Sequence, residues 1–136
     1  MKVLVDTSVW SLALRRRKRP DPSPVRAELT ALIQDGRAVI TGPVRQELLS
    51  GAREPVQHER LRDHMRAFPD VELTTDDFEE AAFFYNLCRE RGVQGSNTDF
   101  LICAISARND FAIFTTDGDF ERFAKVLPIR LHAYAA

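Results

Sequence analysis

The sequence has only two cysteines in 136 residues, Cys88 and Cys103, and no spacing that pairs them. That excludes a disulfide framework and a zinc knuckle, and leaves two reduced core thiols of the kind a cytosolic protein carries. His58, His64 and His132 lack helical or sequential ligand spacing, so each is expected at the surface or half-buried rather than on a metal. No apolar run approaches the roughly 18 residues of a membrane span, and no basic-then-apolar signal pattern opens the chain. A cytoplasmic location with no membrane partner is therefore expected. Neither sign of charge dominates, since 19 Lys and Arg against 20 Asp and Glu leave a net charge of −1. A globally basic nucleic-acid binder is excluded, although a local basic patch still steers phosphates.

What the chain does have is a regular alternation of short apolar runs and amphipathic stretches, at a length that suits one domain with a real core. A buried strand is expected at residues 2–5, then a helix from Ser8 to Arg15 that ends in the charged loop "RRRKRPDPSP". A second helix starts at Ser23 with Pro24 at its first position, carries Val25, Leu29, Leu32 and Ile33 on one stripe, and stops at Gly36. "RAVIT" reads as a strand, "GPVRQELLSG" and "PVQHERLRDHMRAF" as helices, and "DVEL" as a short third strand. From Asp76 to Arg91 runs a helix with Phe78, Ala82, Tyr85 and Arg89 in line. Phe83, Phe84 and Tyr85 are consecutive there, so one aromatic face must look outward, which suggests a partner. "SNTDFLICAISARND" is apolar after its first turn and is expected to be covered on more than one side. "FAIFT" and "IRLH" close the set as strands, with a short helix "DFERFAKV" between them. Strands alternating with helices predict a three-layer α/β/α sandwich around a mainly parallel sheet of about five strands.

In such a sheet ligands bind outside the carboxyl ends of the strands, so acids at strand exits carry weight. Asp6 leaves the first strand, and Asp117 leaves "FAIFT" in "FTTDGDF", with Asp119 two residues on. Other acids have local readings beside the functional one. Asp99 fits a capping arrangement in "SNTD", with Ser96 or Asn97 as cap, and Glu47 in "PVRQELLSG" points either toward the strand ends or into water. Asp119 either caps the helix beginning at Phe120 or supports a metal from outside its ligand shell, and Asp110 is a turn residue. Capping explains Asp6 alone, but not several acids converging. Two carboxylates about 4 Å apart repel by about 4 kcal/mol at an effective dielectric of ~20, and a divalent cation compensates that repulsion. Oxygen-only ligation selects Mg²⁺ or Mn²⁺ over zinc.

The pieces "VDTSVW", "PVRQELLSG", "NTDFLICAIS" and "TTDGDF", in this order, resemble a PIN domain, and more narrowly the VapC-type ribonuclease toxins of prokaryotic toxin–antitoxin pairs. The resemblance covers residues 1–136 as one nuclease domain. It implies that the metal-binding acids are Asp6, Glu47, Asp99 and Asp117, with Asp119 as an additional acid and Ser8 and Thr115 as the supporting hydroxyls; no acid of the pattern is missing. It implies Mg²⁺-dependent endonucleolytic cleavage of RNA leaving a 5′-phosphate and a 3′-hydroxyl, a VapB-like antitoxin as partner, and a homodimer using the "FLICAIS" and aromatic helices. Phosphate contacts are assigned to Arg15, Arg16, Arg17, Lys18 and Arg19 and to Arg45, although a solvated charge run explains the loop equally. Two other readings stand beside this one. A haloacid-dehalogenase-like phosphohydrolase would use Asp6 as nucleophile but wants an acid where Ser8 stands. A non-catalytic module would use the aromatic face alone.

Overall fold

The fold comes from a computed structural model that describes residues 1–14 and 24–134. Three strands, β1 (Val3–Val5), β2 (Ala38–Val39) and β3 (Ala112–Phe114), form a sheet in the order β2-β1-β3. Both pairings are parallel, with Val3 opposite Ala38 on one side and Ala112 on the other. Every residue of β1 and β3 is buried on whichever side it points, so both faces of the sheet are covered, as a parallel sheet requires.

The two further strands expected at "DVEL" and "IRLH" shrink to single parallel bridges, Ile40 with Asp70 and Ile113 with Leu131. Each flanks the sheet, beside β2 and β3 respectively. On the first edge Val71 N–H donates to Ile40 O, and on the second His132 N–H donates to Ile113 O. Among the described residues, five strand positions thus exist in the expected parallel sense, of which three extend. Proline at 69 and at 128, both entering the outer segments, removes an N–H each and limits pairing.

Helices α1 (Thr7–Leu14), α2 (Pro24–Gln34), α3 (Gly42–Ser50), α4 (Pro55–Met65), α5 (Thr75–Glu90), α6 (Asn97–Asn109) and α7 (Asp119–Ala124) complete the chain. Residues 15–23, which hold the basic loop and the expected start at Ser23, lie outside the described residues. α2 buries Val25, Leu29 and Leu32, whereas Ile33, expected on the same stripe, is 36% exposed. Gly36 ends the segment with φ 68°, where a side chain would be strained. α1 packs on α2 and α3, α3 on α4, and α5 on α6.

α5 buries Asp77, Ala81, Phe84 and Cys88, one helical face, so the line Phe78, Ala82, Tyr85 and Arg89 is its neighbour and turns outward. Asp77 closes a capping box with Thr74 and is paired with Arg108 of α6 at 2.9 Å, fastening the start of α5 to the end of α6. α6 is buried without a break from Phe100 to Ser106, which agrees with cover on more than one side. Cys88 and Cys103 are buried and free, and burial, with the Asp99 charge second, pushes the Cys103 thiol well up. Among the described residues, no helix is long and apolar enough to cross a membrane.

Candidate active site at the strand ends

Pairing β1 beside β3 decides the position of two acids at once. Asp6 N–H donates to Phe114 O at 2.9 Å, so the residue that ends β1 lies alongside the end of β3, three residues before Asp117. Asp6 is only 7% exposed. Its Oδ2 accepts from Ser8 Oγ at 2.9 Å and from Thr115 Oγ1 at 2.8 Å. A hydroxyl carries one proton, so with both protons spent on Asp6 the 3.3 Å contact between Ser8 and Thr115 holds none. Their lone pairs take backbone donors instead: Thr116 N–H reaches Ser8 Oγ and Asp117 N–H reaches Thr115 Oγ1, both at 3.0 Å. Asp119 N–H in turn donates to Asp117 Oδ1 at 2.9 Å. The two hydroxyls therefore stitch the loop carrying Asp117 onto Asp6. Among the described residues, no hydrogen bond reaches Asp6 Oδ1.

Asp99 performs the capping role read from "SNTD" and faces the same carboxylates. It accepts from Ser96 N–H at 3.0 Å while its own N–H donates to Ser96 Oγ at 3.1 Å, which makes Ser96 rather than Asn97 the cap. Burial pushes the Asp99 carboxyl up, Ser96 holds it down, and the charges of Asp6 and Asp117 push it further up. Glu47, on the exposed side of α3, is pushed up by burial and by Asp6 and Asp99, against the hydroxyls of Thr7 and Thr98. Thr7 Oγ1 closes no hydrogen bond of ordinary geometry, so its hold on Glu47 is loose. Asp6, Glu47, Asp99 and Asp117 thus share one electrostatic neighbourhood, although, among the described residues, no three His, Cys, Asp or Glu side chains are gathered closely enough to hold a metal ion as they stand. In kind the donors fit a hard divalent cation: all are carboxylate oxygens and one is already oriented by two hydroxyls.

The remaining candidates separate. Asp119 is the first residue of α7, behind Gly118 as cap, and pairs with Arg122. Arg45 is committed elsewhere: it donates to Asp70 Oδ1 at 2.9 Å, Met65 O at 2.9 Å and Phe68 O at 2.5 Å, clamping the end of α4 and the outer strand segment to α3. Three of its five N–H donors are engaged in this clamp. Arg15 to Arg19 fall outside the described residues. Thr7 and Thr98 were missed by sequence reasoning, although each stands beside a candidate acid, Asp6 and Asp99, and that adjacency was the available signal.

The PIN domain model matches residues 3–126, and the chain belongs to the PIN domain family, whose members are generally nucleases. Among solved structures it is similar to FitAcB from Neisseria gonorrhoeae, with 19% identity, a TM-score of 0.76 and 96% of each chain covered. It is similar also to VapBC2 from Rickettsia felis bound to a DNA fragment from their promoter, at 18% identity and a TM-score of 0.77 over 97% of this chain and 98% of that one. DNA-bound VapBC from Salmonella typhimurium gives 16% identity and a TM-score of 0.73, with 97% of each chain covered. At these identities the likeness is one of fold. No curated protein matches.

Proposed function

We propose that this protein is a Mg²⁺-dependent endoribonuclease, the toxin of a VapBC-type pair, held silent by a VapB-like antitoxin. The observation that carries the reading is the β1–β3 junction, where Ser8 and Thr115 fix the carboxylate of Asp6 and tether the loop of Asp117 to it. Family membership and the fold shared with toxin–antitoxin assemblies support it.

Asp6 would supply oxygen from just past β1, Asp117 from the loop after β3, Asp99 from the first turn of α6, and Glu47 from α3. A bound Mg²⁺ or Mn²⁺ would supply a water of lowered pKa and would stabilise charge on a cleaved phosphodiester. Burial first, and neighbouring carboxylates after it, raise the Glu47 and Asp99 carboxyls, so a bound cation would favour their ionised form. No side chain need act as nucleophile. The phosphohydrolase alternative loses ground because Ser8, where it wants a second acid, donates to Asp6. Single-stranded or looped RNA is the expected substrate, since duplex RNA hides its base edges. On α5, Phe78, 55% exposed, shares a face with Tyr85, and the two help line a hollow of 470 Å³ against α6 that suits the contact of a homodimer.

The test is cleavage of single-stranded RNA by purified protein in Mg²⁺ and in EDTA, with Asp117→Asn as control. Cleavage only in Mg²⁺, lost about 100-fold or more in the variant, is expected for removal of a group stabilising the transition state by several kcal/mol. Equal cleavage in EDTA or by Asp117→Asn sinks the proposal. Light scattering on the same preparation is expected to give twice the chain mass.

A further inference from the structure

Beside the carboxylates lies a hollow of 430 Å³ lined by Pro43, Gln46, Glu47, Ser50 and Thr98. The first four fall on α3 at intervals of three, one and three residues, which is one face of a helix. The opposite face, through Val44 and Leu48, is buried in the core. α3 therefore turns a polar stripe toward Thr98 of α6, and Glu47 belongs both to this stripe and to the carboxylate site. Among the described residues the side chains of Gln46 and Ser50 make no hydrogen bond, and no cation lines the hollow.

These features decide what fits. Among the described residues no side-chain cation lines the hollow, so the RNA backbone is left to the carboxylate site and the cation it would hold. A neutral, flat, hydrogen-bonding group needs no cation. Gln46 offers a carbonyl acceptor and an amide donor in one plane, which matches the paired donor and acceptor on a base edge. Ser50 and Thr98 add hydroxyls able to meet a ribose or a second base atom, and the ring of Pro43 offers an apolar flank. The volume lies in the range of about 300–1,000 Å³ usual for small-ligand sites.

We infer that this hollow is a nucleobase subsite: Gln46 and Ser50 read the unpaired base that flanks the scissile phosphate, and so set the cleavage preference. The inference rests on the ribonuclease reading and goes beyond it by assigning residues to sequence selection that have no part in the acid cluster. The hollow beyond Thr98, between α5 and α6, is mainly apolar and is left to the protein contact proposed above.

The experiment reads binding and cleavage separately. RNA pentamers with one abasic position each are titrated by fluorescence anisotropy against full-length Asp6→Asn protein, and against the same protein carrying Gln46→Ala. One abasic position is expected to weaken binding about 5- to 10-fold in the first protein and not in the second, matching a single good base contact. In parallel, Gln46→Ala and Ser50→Ala in the active protein are expected to flatten the cleavage preference at one flanking nucleotide while the rate on the least favoured substrate is kept. Equal binding of all abasic pentamers overturns the subsite, whether or not the wild-type protein cleaves RNA. A change of oligomeric state in Gln46→Ala, with binding unaltered, also overturns it and gives the stripe to a second copy. Absence of any Mg²⁺-dependent cleavage overturns the ribonuclease reading instead, and the pentamer titration still judges the hollow.

Discussion

Ser8 and Thr115 both spend their protons on the same oxygen of Asp6, and a charge so held is oriented before any cation arrives. Removing Thr115's hydroxyl also strips the acceptor from Asp117 N–H. Thr115→Val is therefore expected to lower the cleavage rate about 10- to 100-fold, the usual loss when a partner of a metal ligand is removed, and Thr115→Ser to restore most of it. Rates at saturating Mg²⁺ that match the wild type would contradict this. Asp6→Asn keeps an acceptor for the two hydroxyls and deletes a charge that raises both Glu47 and Asp99. It is expected to abolish cleavage and yet raise the metal-free thermal midpoint by about 2–4 °C, as relief of about 1 kcal/mol does in a domain of this size.

The pH dependence follows with a definite sign. Glu47 and Asp99 bind protons more readily folded than unfolded, so their contribution favours the fold at acid pH and fades as pH rises through their raised values. Metal-free melts across that window should show the decline, and Asp6→Asn should lessen it, leaving the larger part that burial causes. At this scale the sequence was most legible for Asp6 and Asp117, because both end strands. Glu47 and Asp99 were ambiguous, since each had a sufficient local reading and only the packing of α3 and α6 against the sheet ends reveals the coupling. The clamp made by Arg45 was not legible, because its partners, Met65, Phe68 and Asp70, lie at least twenty positions away and none signals an arginine.

Among the elements, α6 depends on a close approach at its entrance. A Cβ at Gly95 would stand 2.6 Å from Phe123 Cζ and 3.0 Å from Phe100 Cε2, inside a packed aromatic cluster in which the rings of Phe100 and Phe123 are 4.9 Å apart. Gly95→Ala is expected to cost about 1–3 kcal/mol by overpacking, read as a lower urea midpoint, and to weaken Mg²⁺ binding because Ser96 and Asp99 follow directly. Unchanged stability would mean that the two rings yield freely. Helices were legible from capping and periodicity, and "SNTD" marked a capping arrangement whose cap, Ser96 rather than Asn97, the structure decides. The outer strands were not, because "DVEL" and "IRLH" have strand composition while pairing depends on neighbours and on the prolines before them. The outward turn of Ile33 is of the same kind, since one stripe of apolar residues does not tell where the core ends.

For the whole molecule, the proposed site would make a bound cation part of the stability. At Mg²⁺ about 100 times the dissociation constant, binding only to the folded state adds about 2.7 kcal/mol, so the thermal midpoint should rise with Mg²⁺ and fall back with EDTA. A midpoint indifferent to Mg²⁺ would count against the site. Topology was the most legible property of all, because alternating strand and helix patterns admit few arrangements with parallel pairing.

α6 and α3 bring their acids to that site on unequal terms. Asp99 opens a helix whose next seven residues are sealed inside the protein, whereas Glu47 rides on a stripe facing solvent. If the proposed site closes on an ion, that would therefore ask little of Asp99, which moves only as the interior moves, and the loss of freedom on capture would fall chiefly on the long side chain of Glu47.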